Sequence, residues 1–333
     1  MKSHWFLKTL AVLGVTLLLL LLGLYAAVGT VILGPSKTAS RLLVTTLTET
    51  SAAKFVPYLY LPAARVEALI ASPEEEADPV FEPTLISLPG RTENAEDAVL
   101  PAEDDGIELH DVKGATFYGK MLIVKDPTRV FVGIPEGGFG DGKKGASVHD
   151  MIERYGAVAG TNAGGFYDPN GTGTGGIPEG IVIYEGELLW GEKNAYYSLA
   201  GIDDEGLLHV GRITAAEALE RGIRYAASYG PALIVNGVPQ NEKRALGGGL
   251  NPRTAIGQRA DGAMLLLVVN GRTVDSLGAK FDDLVEVFLA FDAVNATNLD
   301  GGSSSLMIYN GENVTHSAYV YGERVVATSI LVK

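Results

Sequence analysis

Met264-Leu265-Leu266-Leu267-Val268-Val269 is an apolar run with no polar interruption, and its reading together with the chain that follows decides the fold. A strand that alternates apolar and polar residues has one wet face, whereas one that is apolar throughout is buried on both. Residues 280–291 then change period, with Leu284, Val285, Phe288 and Leu289 recurring on one helical face. A short apolar strand leads from that helix into Asn298-Leu299-Asp300-Gly301-Gly302-Ser303-Ser304-Ser305. Glycine lets a main chain approach a ligand closely, so this segment offers N–H donors, hydroxyls and one carboxylate to a small polar target. A plain Gly-Ser turn is the alternative reading.

Upstream the texture is of short β-like runs between Gly-rich turns. Residues 120–124 and 129–133 straddle Asp126-Pro127 and read as paired strands. Ser147 reads as the cap of a helix through Tyr155, followed by a buried strand over residues 157–160. Residues 181–184 and 188–190 form a hairpin signature, and residues 232–235 with Val238-Pro239 form another around Asn236-Gly237. Thr214 caps a second helix over residues 214–221. Strands outnumber helices without a regular alternation, which predicts an α+β fold, a mixed β-sheet core with flanking helices.

Composition sets outer limits. The chain of 333 residues carries a formal charge of −14, which argues against a nucleic-acid partner because phosphate backbones need a basic surface. Much of that charge is crowded between Glu74 and Asp105, so the folded part is closer to neutral. Cysteine is absent and the five histidines stand singly, which excludes thiolate chemistry and disfavours zinc. No cofactor is called for, although a divalent cation held by oxygen ligands, calcium or magnesium, is compatible with the acids and amides present.

Residues 1–34 read as a membrane anchor. Lys2, Trp5 and Lys8 precede an uncharged apolar run over residues 9–33, long enough at about 1.5 Å per residue to cross a bilayer core of about 30 Å. A cleaved signal peptide has a shorter apolar region of about 7–15 residues. Lysine and arginine flank both ends, so charge alone does not orient the span. The expectation is a single-pass protein with its C-terminal domain extracellular. Residues 35–105 form a connector: a juxtamembrane segment broken at Pro57 and Pro62, then an acidic, proline-bearing stalk from Pro73. Residues 106–333 form the globular domain.

Three Gly-rich segments interrupt that domain. Residues 137–144 spell most of a phosphate-binding loop but place Lys144 where a magnesium-binding Ser or Thr belongs, so they read as a loop tip. The second segment, Gly160-Thr161-Asn162-Ala163-Gly164-Gly165-Phe166-Tyr167-Asp168, follows a strand and ends on an acid. The third is the segment at Asp300. Between these two lies Asn251-Pro252-Arg253-Thr254-Ala255-Ile256-Gly257, an arginine directly before an apolar strand. Guanidinium matches phosphate oxygens in a fork, and a carboxylate can activate water or stabilise charge at an anomeric carbon. Singly, Arg253 reads as an ion-pair residue and Asp168 and Asp300 as turn caps. Their shared position at strand ends points to a sugar joined to a phosphate.

Taken together, residues 159–166, Tyr229-Gly230-Pro231-Ala232-Leu233-Ile234 with Asn236-Gly237, residues 252–257 and residues 298–304 resemble the phosphodiester glycosidase family, in the family's order. The chain departs from that pattern at Ser303 and Ala163, where glycine is common. The resemblance implies hydrolysis of a sugar-1-phosphodiester at the anomeric C–O bond of a sugar-phosphate or glycan substrate. It implies Asp300, Arg253 and Asp168 as catalytic residues. Asn162, Gly164, Gly165, Gly301, Gly302, Ser303 and Ser304 would then bind substrate, with Arg253 and the amides around Gly301 and Gly302 on the phosphate. With the anchor, it implies a membrane-bound hydrolase working on an envelope or exported glycan. The rival is a carbohydrate-binding or envelope-assembly protein that keeps the fold without turnover.

Overall fold

The computed structural model describes residues 2–71, 86, 105–243, 245–319 and 321–333. The chain divides into two compact units, Met1–Ala71 and Ser72–Lys333.

In the first unit a helix spans Lys2–Ile32, and its segment Lys8–Ile32 is long and apolar enough to cross a membrane. Ser36 caps the next helix, Lys37–Thr48, by accepting a hydrogen bond from the Ala39 amide. Pro57 and Pro62 break the helical run as the sequence predicts. Pro57 lies in the short 3-10 turn Val56–Leu59, and Pro62 precedes the helix Ala63–Ile70. Ile32, Val44 and Val66 form a small buried cluster that ties these helices together. Most of the stretch expected to be an acidic stalk, residues 73–85 and 87–104, lies outside the described residues. Ile86, within that stretch, is buried in the second unit beside Leu207.

The second unit is α+β, with three antiparallel sheets. The largest runs, in spatial order, through Ile107–Lys113, Tyr118–Val124, Met264–Val269, Arg253–Arg259, Ala293–Asn298, Ala232–Val235 and Val238–Pro239. Met264–Val269 sits near its middle and is wholly buried, because its side chains alternate between two cores. Leu266 and Val268 join Leu122, Val132, Ile256 and Ile330 on one face. Leu265, Leu267 and Val269 meet Leu284, Val285 and Phe288 of the helix Phe281–Ala290 on the other. Leu289, expected on that buried face, is 43% exposed. Its neighbour Phe288 is fully buried in the same turn, so Leu289 lies off the edge of the apolar face set by Leu284, Val285 and Phe288.

The second sheet is ordered Glu312–Asn313, Met307–Tyr309, Ala159–Asn162, Ser329–Val332 and Val130–Gly133. The third is ordered Glu187–Trp190, Val182–Tyr184, Ile223–Ser228, Tyr196–Asp203 and Leu208–Thr214. One expected pairing does not form: Tyr118–Val124 pairs with Ile107–Lys113 and Met264–Val269, whereas Val130–Gly133 pairs with Ser329–Val332. The cause is local. Asp126 caps the 3-10 turn Pro127–Arg129 through the Thr128 amide, and this turn sends the chain into another sheet.

Locally encoded elements form as read. Ser147 and Asp150 make a reciprocal cap on the helix Val148–Tyr155, and Thr214 and Glu217 do the same for Ala215–Glu220. Asn236 and Gly237 take the positive φ values, 53° and 74°, that a two-residue hairpin turn needs.

Candidate active site

The site lies where three strands end together. Ala159–Asn162 and Ala293–Asn298 finish beside the start of Arg253–Arg259, and main-chain bonds continue the junction beyond them. The Leu299 amide donates to the Thr254 carbonyl and the Asp300 amide to the Ala163 carbonyl, each at 2.8 Å. The turn bearing Asp300 is thereby fixed to both flanking segments.

Asn162 is the brace of this junction. Its side-chain amide donates to the main-chain carbonyl of Asp300 at 2.6 Å, while its Oδ1 accepts from the Thr254 hydroxyl at 2.7 Å and the Leu306 amide at 3.3 Å. The residue is buried and both ends of its side chain are engaged within the protein. It sets where Asp300 stands.

The Asp300 carboxyl is pushed up to about 6, chiefly by burial and further by the negative charge of Glu179. The nearby Ser304 hydroxyl, the charge of Arg324 and a hydrogen bond from the Gly301 amide at 2.9 Å each oppose that rise. Glu179 is itself shifted upward, first by partial burial and then by Asp168. Asp168 in turn accepts from the Gly173 amide at 2.6 Å and lies 2.5 Å from Nη2 of Arg324. Three carboxylates and one guanidinium thus form a single electrostatic group.

Arg324 ties the group to the third Gly-rich segment. Its Nη1 donates to the Ser303 hydroxyl at 2.6 Å, and its guanidinium lies 4.9 Å from the centre of the Phe166 ring and 5.8 Å from that of Tyr319. The strap carrying it is anchored by its neighbour, since Glu323 accepts from the His149 amide at 3.0 Å and lies 2.8 Å from the His149 Nδ1. Sequence reading passed over Arg324 and Glu179. The available signal for Arg324 was the one used for Arg253, an arginine shortly before an apolar strand; Glu179 carried none.

The other expected site residues fall in two classes. The Arg253 guanidinium is buried beneath the site, donating to the carbonyls of Ala279 at 3.1 Å and Gly249 at 2.8 Å and lying 4.3 Å from the centre of the Phe281 ring. The Gly302 amide donates to the Pro252 carbonyl at 2.8 Å, so both amides expected on a phosphate have partners within the fold. The Gly164 amide donates to the Thr328 hydroxyl at 2.9 Å and that of Gly165 to the Ser228 carbonyl at 3.2 Å. A Cβ on Gly165 would come within 2.7 Å of the Tyr229 ring and 2.9 Å of the Glu179 carboxylate. These glycines serve close packing near Asp300, with Gly165 seating the side chains of Tyr229 and Glu179. Among the described residues no group of three or more His, Asp or Glu is arranged to hold a metal ion.

A family model described as phosphodiester glycosidase matches residues 155–333, a span that contains Asp168, Glu179, Arg253, Asp300 and Arg324. The chain is 29% identical over 179 residues to the SPbeta prophage-derived uncharacterized protein YomE of Bacillus subtilis, covering 51% of this chain and 27% of that protein. It is 27% identical over 218 residues to the N-acetylglucosamine-1-phosphodiester alpha-N-acetylglucosaminidase of Mus musculus, covering 60% of this chain and 41% of the relative. The chain therefore spans less than half the length of these curated relatives. The zebrafish catalytic domain of the same name, in a structure auto-inhibited by its pro-peptide, superposes with a TM-score of 0.56 at 20% identity, covering 70% of this chain and 85% of that one. That likeness concerns the fold.

Proposed function

The chain belongs to the phosphodiester glycosidase family, and from that premise we propose that it hydrolyses a sugar-1-phosphodiester at the anomeric C–O bond. The observation that carries the reading is the Asp300 carboxyl, pushed up to about 6 inside a group of charges built from Asp168, Glu179 and Arg324. A general base works best when its pKa lies near the working pH, and burial has moved Asp300 toward that range.

In the proposed reaction Asp300 takes a proton from a water whose oxygen bonds to the anomeric carbon. The C–O bond breaks, its electron pair stays on the phosphoryl oxygen, and a free sugar and a phosphomonoester leave. Phosphate is a good leaving group, so little acid assistance is required. The Glu179 carboxylate stabilises positive charge building at the sugar ring. Arg324 holds Asp168 and Ser303 in place and moderates the charge on Asp300. Asn162 and Arg253 act from beneath as braces. The mouse relative is named for an N-acetylglucosamine-1-phosphodiester, which supports the bond class.

The same proposal places the catalytic unit outside a membrane, tethered by Lys8–Ile32, with an envelope or exported glycan as substrate. The apolarity of that helix supports the tether. The deciding experiment incubates the detergent-solubilised full chain with glycosyl phosphodiesters in oxygen-labelled water. Label in the released sugar is expected. Label in the phosphate would mean P–O cleavage, and tight glycan binding with no product would mean a binding protein.

A further inference from the structure

The guanidinium that touches Asp168 and Ser303 also meets two rings, the buried Phe166 at 4.9 Å and the half-buried Tyr319 at 5.8 Å. A further ring continues from the second of these. Tyr319 and Tyr321 meet edge to face, with their centres 5.6 Å apart and their planes at 71°. Tyr321 is 87% exposed, so two adjoining rings lead from the charged group out to solvent.

A tyrosine so far out of the fold gains little from packing within it. The strap that carries it is nonetheless tied down on both sides of the rings. The His316 amide donates to Oδ1 of Asn270 at 2.8 Å, and Glu323 accepts from the His149 amide. The Ser317 hydroxyl accepts from the Tyr319 amide at 3.2 Å and donates to the Gly322 carbonyl at 3.1 Å. Gly322 has φ of 106°, a conformation that glycine takes readily and other residues resist. The backbone holds Tyr321 outward at a fixed place beside Arg324.

A tyrosine so held offers a flat apolar face and a hydroxyl, at little entropic cost because its side chain has few rotatable bonds. That combination suits a sugar ring, which has C–H faces and a rim of hydroxyls. An acyl chain would call for an apolar groove, whereas the strap places Ser317, Gly322 and Glu323 around the rings.

Resting on the hydrolytic reading above, we propose that Tyr319 and Tyr321 form a carbohydrate-binding platform, with Tyr321 stacking on a sugar that the phosphate carries on the side away from the cleaved bond. The reacting carbon has to reach Asp300 inside the charged group, while Tyr321 stands in solvent. The exposed ring therefore meets a part of the substrate remote from that carbon, and Tyr319, packed on Arg324, joins the two regions. The substrate class is narrowed accordingly: the leaving group is a phosphorylated glycan, in preference to a simple phosphate ester or a phospholipid.

The test compares the full-length detergent-solubilised chain with Tyr321→Ala and Tyr321→Phe on three glycosyl phosphodiesters, whose phosphate carries a methyl group, an octyl chain or a trisaccharide. In the wild type the trisaccharide ester should have the highest kcat/KM, and Tyr321→Ala should cut its advantage over the methyl ester by about three- to tenfold, through KM. Tyr321→Phe keeps the ring and should keep most of that advantage. An unchanged ratio in Tyr321→Ala overturns the platform, and an equal loss on the octyl ester overturns its assignment to sugar. Titration calorimetry with the trisaccharide phosphate separates this proposal from the reaction beneath it. If the wild type turns over none of the esters, yet binds that ligand and loses affinity on Tyr321→Ala, the platform stands and the hydrolytic reading fails.

Discussion

Arg324 and Asp168 meet at 2.5 Å between Nη2 and Oδ2, with side chains only 9% and 20% exposed, and this pair ties Arg324 to the second Gly-rich segment. The other arm of the guanidinium reaches Ser303 in the Asp300 turn. Removing the arginine would leave Asp168 as a partly buried carboxylate without its counter-charge and release Ser303. Arg324→Ala is expected to lower kcat for a glycosyl phosphodiester by about 100-fold or more, since displacements of about 1 Å in a catalytic constellation have that effect. Arg324→Lys should not restore it, because an ammonium cannot span Asp168 and Ser303 as a planar fork does. Turnover within threefold of wild type in Arg324→Ala would remove this residue from the site.

The shifted carboxyl of Asp300 makes two pH predictions with opposite senses. Acting as a base, it must be ionised, so kcat is expected to rise with pH through about 6 and then level. For stability the sign reverses. Between its ordinary value of 3.8 and about 6 the folded state holds a proton that the unfolded chain has released, so stability falls as pH rises through that window. Asp300→Asn removes the cost of burying the charge and should raise stability at pH 7 by on the order of 1–3 kcal/mol while abolishing turnover. The gain should disappear below pH 3.8. Urea unfolding of both forms at pH 3.5 and pH 7 reads this directly, and equal shifts at the two pH values would refute it.

What could be read from sequence, and what could not, divides by range. Asn236-Gly237, the Ser147 and Thr214 caps and the double burial of Met264–Val269 are set by residues within a few positions of one another, and they form as expected. The pairing of Val130–Gly133 depends on a partner strand at the far end of the chain, and no local pattern names it. The same limit separates the arginines. Arg253 opens an apolar strand and Arg324 lies shortly before one, yet one guanidinium is buried and binds carbonyls while the other binds Asp168 and Ser303. Position along a strand could be read; burial of the side chain could not. The glycines show a related gap: their spacing marks where the Gly-rich turns lie, whereas their amides are hydrogen-bonded within the fold.

Asn162 offers a test of architecture separate from chemistry. Asn162→Ala leaves the buried Thr254 hydroxyl, the Leu306 amide and the Asp300 carbonyl without their present partner. Unsatisfied buried groups cost about 1–3 kcal/mol each, with some relief from relaxation, so a loss of roughly 2–4 kcal/mol is expected in urea unfolding. Any residual turnover should be low because the Asp300 main chain loses its tie. A variant as stable as the wild type would show that Asn162 does not brace the turn.

Gly164 and Gly165 are adjacent and should nonetheless fail in different ways. A Cβ on Gly164 meets the Ala227 methyl, the Ser228 carbonyl and the Thr328 hydroxyl, all at 3.1 Å in well-packed structure. Gly164→Ala is therefore an overpacking change, expected to cost about 1–3 kcal/mol of stability. A Cβ on Gly165 instead meets side chains, the Tyr229 ring at 2.7 Å and the Glu179 carboxylate at 2.9 Å, which can swing away. Gly165→Ala should cost less stability but displace Glu179 from Asp300. Because the charge of Glu179 helps raise the Asp300 carboxyl, moving it should carry the acid limb of the kcat profile to lower pH as well as reducing its plateau. Parallel unfolding and pH–rate measurements on the two variants separate these outcomes. A Gly165→Ala profile that keeps the wild-type midpoint would show that the Glu179 charge is not felt at the reacting group.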